Sequence, residues 1–269
     1  MDIDTCHYNT VAEDKRLKGK ISDEFSQVGS MHRHNGDHWG GRNEETAHTN
    51  VLGILLYHYI TGDMRAFDAA NEIGSFFLKD PITYTGHPDI APQRSIANVL
   101  WGDVLLYELT GEGKYKQKAD KWADFFYQGQ SSSGAWAENY NPVLKKWEGR
   151  PHAAYMLGYT LPALIEYHKL TKNKAIADCI VKGTDYIIQN EKYAAFFDAL
   201  AYSYYLTGDR RFIEETKSRL NEAIGHQRKN VDPIEDGMIY EKLYYQRPNE
   251  FLYKTPFALS ILTETEDKK

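Results

Sequence analysis

Residues 31–43 concentrate side chains that can move protons and bind anions. The stretch contains His32, His34, Asn35, His38, Trp39 and Arg42. Imidazole changes its charge near neutral pH and can act as a general acid or base. A guanidinium binds a carboxylate through two parallel hydrogen bonds, and an indole offers a flat apolar face. These types predict a site for a substrate that carries a carboxylate. The predicted catalytic residues are His34 and His38, and the predicted binding residues are Asn35, Trp39 and Arg42.

A second polar and aromatic cluster spans residues 136–155. Its members are Trp136, Glu138, Tyr140, Trp147, Arg150, His152 and Tyr155. Pro151 suits the first turn of a helix, and His152 and Tyr155, three residues apart, would then share one helix face. The sequence predicts that His152 and Tyr155 are catalytic and that the other five bind substrate. Arg94, at the start of another predicted helix, is a further candidate for substrate binding.

The three histidines of the first stretch also fit a metal site. The spacing of His32, His34 and His38 suits ligands of zinc or another divalent ion. The sequence offers no His-Glu-x-x-His helix and no cysteine partner beside them. We therefore expect no cofactor, with a divalent ion at these histidines as the alternative. Asp103, deep in a predicted helix, is either a buried catalytic acid or a polar residue of the helix face.

A repeated phrase predicts the elements that must position these clusters. Thr-Gly-Asp or a close variant recurs at residues 61–63, 110–112 and 207–209, with a degenerate copy at 171–173. Glycine adopts the left-handed conformation that ends one helix, and the following Asp or Asn caps the next. Apolar residues on both sides recur with helical spacing. The phrase therefore predicts short turns inside antiparallel helical hairpins.

The predicted helices span 44–60, 63–78, 94–109, 113–127, 151–170, 173–190, 192–206, 209–225 and 249–263. Pro162 should kink the fifth helix, and Pro256 should interrupt the ninth. No convincing set of strands is predicted. Because turns inside hairpins are short and most connections between hairpins are long, the long connections should emerge at one end. The segments 31–43 and 136–152 are therefore expected to be neighbours at a cleft.

These hairpins resemble the α/α-toroid carbohydrate-active enzymes, which include unsaturated glucuronyl hydrolases, polysaccharide lyases and related glycosidases. The segment Met31–Asn43 resembles the toroid domain of rhamnogalacturonan exolyase-like proteins. The resemblance implies an all-α fold of repeated antiparallel helical hairpins, an (α/α) toroid. Four and a half hairpins are predicted where these families have six or seven, so the ring is expected to be a smaller variant or incomplete.

Length and composition limit the remaining choices. The length alone suggests one or two domains. With the repeats we predict one, with residues 1–43 as an N-terminal segment and cleft loop and residues 44–269 as the helical body. The net charge of −6 argues against nucleic acid, and no apolar run reaches the ~18 residues that a membrane span needs. Without the features of a signal peptide the chain is expected to be cytoplasmic as written, or extracytoplasmic if it is part of a longer exported protein.

Three functions fit these features. The favoured one is a polysaccharide lyase that acts on uronic-acid glycans by β-elimination, which needs a neutralised carboxylate, a base and a proton for the leaving oxygen. A glycoside hydrolase is the alternative and needs two carboxylates that face one sugar bond. A non-catalytic carbohydrate-binding or scaffold domain is the third. The expected partners are an oligo- or polysaccharide and other domains of a longer protein.

Overall fold

The computed structural model describes residues 29, 46–49, 51–80, 82, 89–153, 156–191, 196–227 and 248–266. The chain divides into two compact units, Met1–Ile176 and Ala177–Lys269. The predicted division into residues 1–43 and 44–269 stays a prediction. Within the described part of the chain, no helix combines the length and the apolar character needed to cross a membrane.

Most described residues are helical. The α-helices are α1 (Leu52–Thr61), α2 (Met64–Phe77), α3 (Gln93–Thr110), α4 (Gly113–Gly129), α5 (Leu157–Thr171), α6 (Lys174–Asn190), α7 (Phe197–Thr207), α8 (Arg210–Gly225) and α9 (Pro248–Glu266). Helix α1 packs on α2, α3 on α4, and α7 on α8. The prediction of an all-α fold of helical hairpins is confirmed.

The repeated phrase has a structural explanation at each turn. Between α7 and α8, Gly208 adopts a left-handed φ of 68°. The Thr207 hydroxyl donates to the Ser203 carbonyl at 2.7 Å and accepts the Asp209 N–H at 3.1 Å. The Asp209 carboxylate accepts the Arg211 N–H at 2.9 Å, which caps α8 as predicted. The α1–α2 turn repeats the pattern around Gly62.

Replacing Gly208 by alanine tests this explanation. A Cβ at Gly208 would meet nothing within 4 Å, so its cost is the left-handed backbone alone. We expect Gly208→Ala to lower the free energy of unfolding by about 1 kcal/mol. The control is Gly225→Ala at the last residue of α8, where a Cβ is also free of contacts. That change should be neutral or stabilising by up to about 1 kcal/mol. Urea unfolding measures both, and effects of the same sign and size would contradict the explanation.

Helix α3 is the central helix of the first unit. It is buried on nearly all sides, and it packs against α2, α4 and α5. Gly102 allows α2 to approach, because a Cβ there would fall 2.3 Å from the Phe77 ring. Gly74 serves α4 in the same way, because its Cβ would fall 2.6 Å from the Tyr115 hydroxyl. These two glycines hold α2 close to both α3 and α4.

Helices α7, α8 and α9 enclose the core of the second unit. One cluster of buried residues that the three helices share consists of Phe197, Ala201, Ile213, Leu220, Ala223, Ala258 and Ile261. The buried Arg219 side chain donates to Glu215 at 2.7 Å and to the Glu191 carbonyl at 2.8 Å. Contrary to the prediction, Pro256 does not interrupt α9, which continues from Pro248 to Glu266.

The first helix also begins later than predicted. Thr46–His48 form a short 3-10 helix, and α1 starts only at Leu52. The Asn98 amide on α3 donates to the carbonyls of Thr46 and Ala47 at 2.9 and 2.8 Å. These carbonyls are therefore bonded to α3 and do not continue a regular α-helix from residue 44.

Candidate functional site

A small antiparallel sheet lies next to the start of α3, and the sequence did not predict it. Its strands are β1 (Ala91–Pro92), β2 (Ala137–Asn141) and β3 (Lys146–Pro151), in the order β1–β2–β3. The Asn141 side chain closes the β2–β3 turn by accepting the N–H groups of Val143 and Leu144, both at 3.0 Å. Pro151 is thus a strand residue, and α5 begins at Leu157 instead of residue 151.

The sheet holds His152 beside the first turns of α3 and α5. The His152 N–H donates to the Trp136 carbonyl at 2.8 Å, which extends the pairing of β2 with β3. The His152 Nδ1 is hydrogen-bonded to Gln93 Oε1. Gln93 Nε2 in turn donates to Thr160 Oγ1 at 3.0 Å. Gln93 and Thr160 are fully buried, so two helices anchor the half-buried imidazole.

Two charged groups, Glu138 and Arg150, act on this imidazole. Arg150 Nε donates to Glu138 Oε1 at 2.6 Å, and the Arg150 side chain is 83% exposed. Burial is the main cause that lowers the pKa of His152 below its ordinary value. The charge of Glu138 opposes this shift, and that of Arg150 adds to it. A lowered pKa keeps the imidazole neutral near pH 7, the form that can accept a proton.

A second guanidinium lies at the same end of α3. Arg94 follows Gln93, and its guanidinium carbon lies 4.0 Å from the centre of the Tyr159 ring on α5. Stacking on an aromatic face orients the planar guanidinium. Four predicted site residues therefore come together around the starts of α3 and α5. They are Arg94, Glu138, Arg150 and His152.

Helices α3 and α5 run parallel, with His152 where both begin. Gln93 and Thr160 meet near the two N-terminal ends. Near the C-terminal ends, burial and then the charge of Glu166 on α5 raise the pKa of Glu108 on α3. The long connections before α3 and α5 thus emerge at one end, as predicted for these two.

The aromatic residues of this segment pack against α4. Trp136 is 1% exposed and donates its indole N–H to the Phe126 carbonyl at 2.7 Å. Tyr140 is buried as well, with its ring against Phe125. Trp136 presents no open face, so its predicted substrate-binding role is not supported. Tyr140 lines a surface pocket together with Phe125 and Lys145, and its role stays a prediction. Trp147 is half-buried with its N–H on the Phe125 carbonyl at 3.1 Å, and its role stays a prediction.

The other predicted site residues lie outside the described residues. They are His32, His34, Asn35, His38, Trp39, Arg42 and Tyr155. The described chain resumes after residues 31–43 at Thr46, whose hydroxyl donates to the Ser95 carbonyl of α3 at 3.3 Å. In the described ranges no group of three His, Cys, Asp or Glu residues could hold a metal ion. The metal alternative at His32, His34 and His38 stays a prediction.

Asp103 is a buried acid away from the start of α3. Among the described residues, no hydrogen bond of normal geometry reaches either carboxyl oxygen, although the indole N–H of Trp122 is close enough to act on the carboxyl. Burial raises its pKa well above the ordinary 3.8, while the charge of Lys118 and the indole N–H of Trp122 oppose the shift. Both opposing groups belong to α4, so Asp103 faces that helix. A structural role explains this position better than a catalytic one.

The pH dependence of stability should reveal Asp103. The folded state holds the Asp103 proton more tightly than the unfolded state does. The contribution of Asp103 to the free energy of unfolding is therefore fully present below pH 3.8, the ordinary pKa of its carboxyl group. It is then lost as the pH rises through the folded pKa, with a slope of up to about 1.4 kcal/mol per pH unit. Asp103→Asn should remove this slope from urea unfolding, whereas Asp124→Asn, at an exposed site on α4, should keep it. Parallel pH curves for all three proteins would show that Asp103 is already charged.

Gln93 and Thr160 are the functional candidates that sequence reasoning missed. Both are uncharged, and they lie 67 positions apart in the chain. No local pattern indicates that they meet, although Gln93 opens α3 next to the predicted Arg94. The missed hairpin had a weak signal, because Asn141-Pro142 marks a turn between two aromatic segments.

Comparison with known proteins shows the fold. No protein-family model and no curated protein match the sequence. Among solved structures, the Lin0763 protein from Listeria innocua matches with a TM-score of 0.59 and 13% identity, over 81% of this chain and 71% of that one. Cellobiose 2-epimerase from Bacillus thermoamylovorans matches with a TM-score of 0.59 and 11% identity, over 80% and 70%.

A third match is an inactive variant of an α-1,6-mannanase of Salegentibacter in complex with α-1,6-mannotriose. Its TM-score is 0.55 and its identity 12%, over 85% of this chain and 80% of that one. Together with the hairpins, these similarities show that the chain has an α/α-toroid fold, as predicted. At such low identity they identify the fold and leave the reaction to be inferred from the site.

Proposed function

We propose that this chain is a carbohydrate-active enzyme, specifically a polysaccharide lyase that acts on uronic-acid glycans with His152 as the base. The observation that carries the proposal is an imidazole anchored by Gln93 at the end of α3 and α5 where two guanidinium groups also lie. Burial lowers the pKa of His152, and the Gln93 amide orients its ring. Arg150 and Arg94 lie at the same end of the unit and can bind a carboxylate.

β-Elimination assigns a task to each of these groups. The base removes the proton on the sugar carbon next to the carboxylate, and the electron pair forms a carbon–carbon double bond. The bond to the glycosidic oxygen breaks, and that oxygen takes up a proton. His152 is proposed to accept the first proton, and the guanidiniums to stabilise the negative charge that develops on the carboxylate. Tyr155, His34 and His38 are the proposed proton donors, with Asn35 and Arg42 as further carboxylate ligands and Trp39 as a stacking surface.

A glycoside hydrolase is the second candidate, and the likeness to the α-1,6-mannanase complex favours it. Hydrolysis needs two carboxylates facing one sugar bond. In the described part of the chain the nearby acids have other partners. Glu138 binds Arg150, and Glu148 binds Lys146 at 2.9 Å. We prefer chemistry that begins with removal of a proton from carbon, because the anchored imidazole of His152 is suited to accept that proton. Epimerisation, suggested by the cellobiose 2-epimerase likeness, can begin with the same step.

The products distinguish these reactions. The full chain is incubated with homogalacturonan, rhamnogalacturonan, alginate, α-1,6-mannan and cellobiose. Elimination creates an unsaturated sugar end that absorbs ultraviolet light. Hydrolysis releases reducing ends without that absorbance. Epimerisation of cellobiose changes neither the number of reducing ends nor the ultraviolet absorbance, but a new disaccharide appears by chromatography. An ultraviolet rise on a uronate polymer is the expected result. Reducing ends alone, epimer alone, or binding without any product would overturn the lyase assignment.

The pH profile gives a second check of His152. As a base, His152 must be unprotonated, so kcat/KM should fall at low pH. The midpoint of this fall should lie below the ordinary histidine pKa of about 6.5. The charge of Glu138 raises the pKa of His152, and that of Arg150 lowers it. Glu138→Gln should therefore move the acid limb to lower pH, and Arg150→Gln should move it to higher pH. An acid limb that both variants leave in place would show that His152 does not set it.

A further inference from the structure

The amide of Gln93 is a buried connection between His152 and Thr160. Gln93 is 0% exposed, at the point where β1 passes into α3. Its Nε2 donates to Thr160 Oγ1 at 3.0 Å, and its Oε1 faces His152 Nδ1. Thr160 is itself fully buried on α5. No charged side chain contributes to these two bonds, so the three residues form a neutral hydrogen-bonded series.

The orientation of the amide decides which imidazole nitrogen carries the proton. An amide has one accepting end and one donating end, and a neutral imidazole has one donor and one acceptor nitrogen. With Oε1 facing His152, Nδ1 must donate and therefore carries the proton. The Nε2 atom of His152 is then left with the free electron pair. The opposite amide orientation would place the proton on His152 Nε2 and make that atom a donor.

We propose that Gln93, whose Nε2 donates to Thr160, is a positioning residue that fixes His152 as the Nδ1–H tautomer, so that His152 Nε2 is the atom that accepts the substrate proton. The inference rests on the proposed role of His152 as the base. It adds the identity of the reacting atom and two residues that do not touch the substrate. A free imidazole in water favours the Nε2–H tautomer, so without Gln93 a large fraction of His152 would present a proton in place of an electron pair.

Nitrogen NMR reads the tautomer without a substrate. The full chain is labelled with ¹⁵N-histidine and observed at a pH above the ordinary histidine value of about 6.5. The His152 signals are assigned by their absence in His152→Gln. In the parent protein Nδ1 should resonate as a protonated nitrogen and Nε2, far downfield, as an unprotonated one. A parent spectrum with the proton on Nε2 would overturn the proposal.

Variants of Gln93 then test the cause. Gln93→Leu removes the acceptor and should move His152 towards the Nε2–H tautomer, with kcat reduced more than KM is changed. Gln93→Glu keeps an oxygen opposite Nδ1 and should retain the parental tautomer. Gln128→Leu, at an exposed glutamine on α4, is the matched control and should change neither measurement. An unchanged tautomer in a folded Gln93→Leu protein would refute the role of Gln93.

This test separates the inference from the proposed function. If His152→Gln keeps full turnover while the tautomer is Nδ1–H, the proposed function fails and Gln93 is only a structural partner. If His152→Gln loses turnover while the parent tautomer is Nε2–H, the base assignment stands and the positioning role fails. Should Gln93→Leu not fold, the parent spectrum and the Gln93→Glu variant still decide between the two tautomers.

Discussion

Replacing His152 by alanine should lower kcat on an elimination substrate by about 10²–10⁴-fold, the range for loss of a general base. The reason is local, because the imidazole is the half-buried, neutral proton acceptor at the start of α3 and α5. The KM should change less than kcat, since the proposed carboxylate ligands Arg94 and Arg150 remain. Steady-state rates on the uronate polymer that gives the ultraviolet signal measure this effect.

The matched control is His226→Ala. His226 is an exposed histidine at the end of α8, in the second unit. Its replacement should leave kcat and KM within about twofold of the parent, because exposed positions outside a site contribute little. Both variants must melt like the parent for the comparison to hold. Parental turnover in a folded His152→Ala protein would remove the main support for elimination and favour a site built from other groups.

Replacing Trp136 by alanine should lower the free energy of unfolding by about 3–5 kcal/mol, the range for truncating a large buried aromatic residue. The Trp136 ring is 1% exposed and packs edge-on against Phe126 at a centroid distance of 5.8 Å. Its indole N–H also satisfies the Phe126 carbonyl. A residue whose main role is to stack on a sugar would instead raise KM and leave stability nearly unchanged. Urea unfolding and KM, measured on the same preparations, separate the two roles.

Two further variants refine this result. Trp136→Phe keeps most of the apolar contact but removes the donor, so it should cost about 1–3 kcal/mol for the carbonyl left without a partner. Tyr127 follows Phe126 on α4, and its side chain is 52% exposed. Tyr127→Ala should therefore change the free energy of unfolding by about 0.5 kcal/mol or less. Equal losses for Trp136→Ala and Tyr127→Ala would mean that Trp136 is not part of the core.

The sequence by itself determined the helical hairpins. Three turns are specified within three residues: a threonine that bonds back to its own helix, a glycine or Lys172 in the left-handed conformation, and an Asp or Asn cap. The turn between α3 and α4 has the threonine and the glycine, but Glu112 makes no side-chain cap. These interactions are local, so their residue pattern is visible without knowledge of the fold. The same holds for the apolar spacing of α4, whose Tyr115, Ala119, Trp122 and Phe126 are all buried as expected. Histidine, arginine and glutamate near residue 150 could also be singled out by type.

Tertiary structure alone decided how those side chains are used. Asn98 on α3 binds the carbonyls of residues 46 and 47, and the first helix consequently begins at Leu52. The segment 137–151 forms a β-hairpin, whereas the sequence predicts a loop followed by the start of a helix. Pro151 is consequently a strand residue, and Trp136 lies in the core. His152 acquired its partner from Gln93, 59 positions earlier in the chain. Contacts of such separation depend on packing between elements, and no local pattern of residues encodes them.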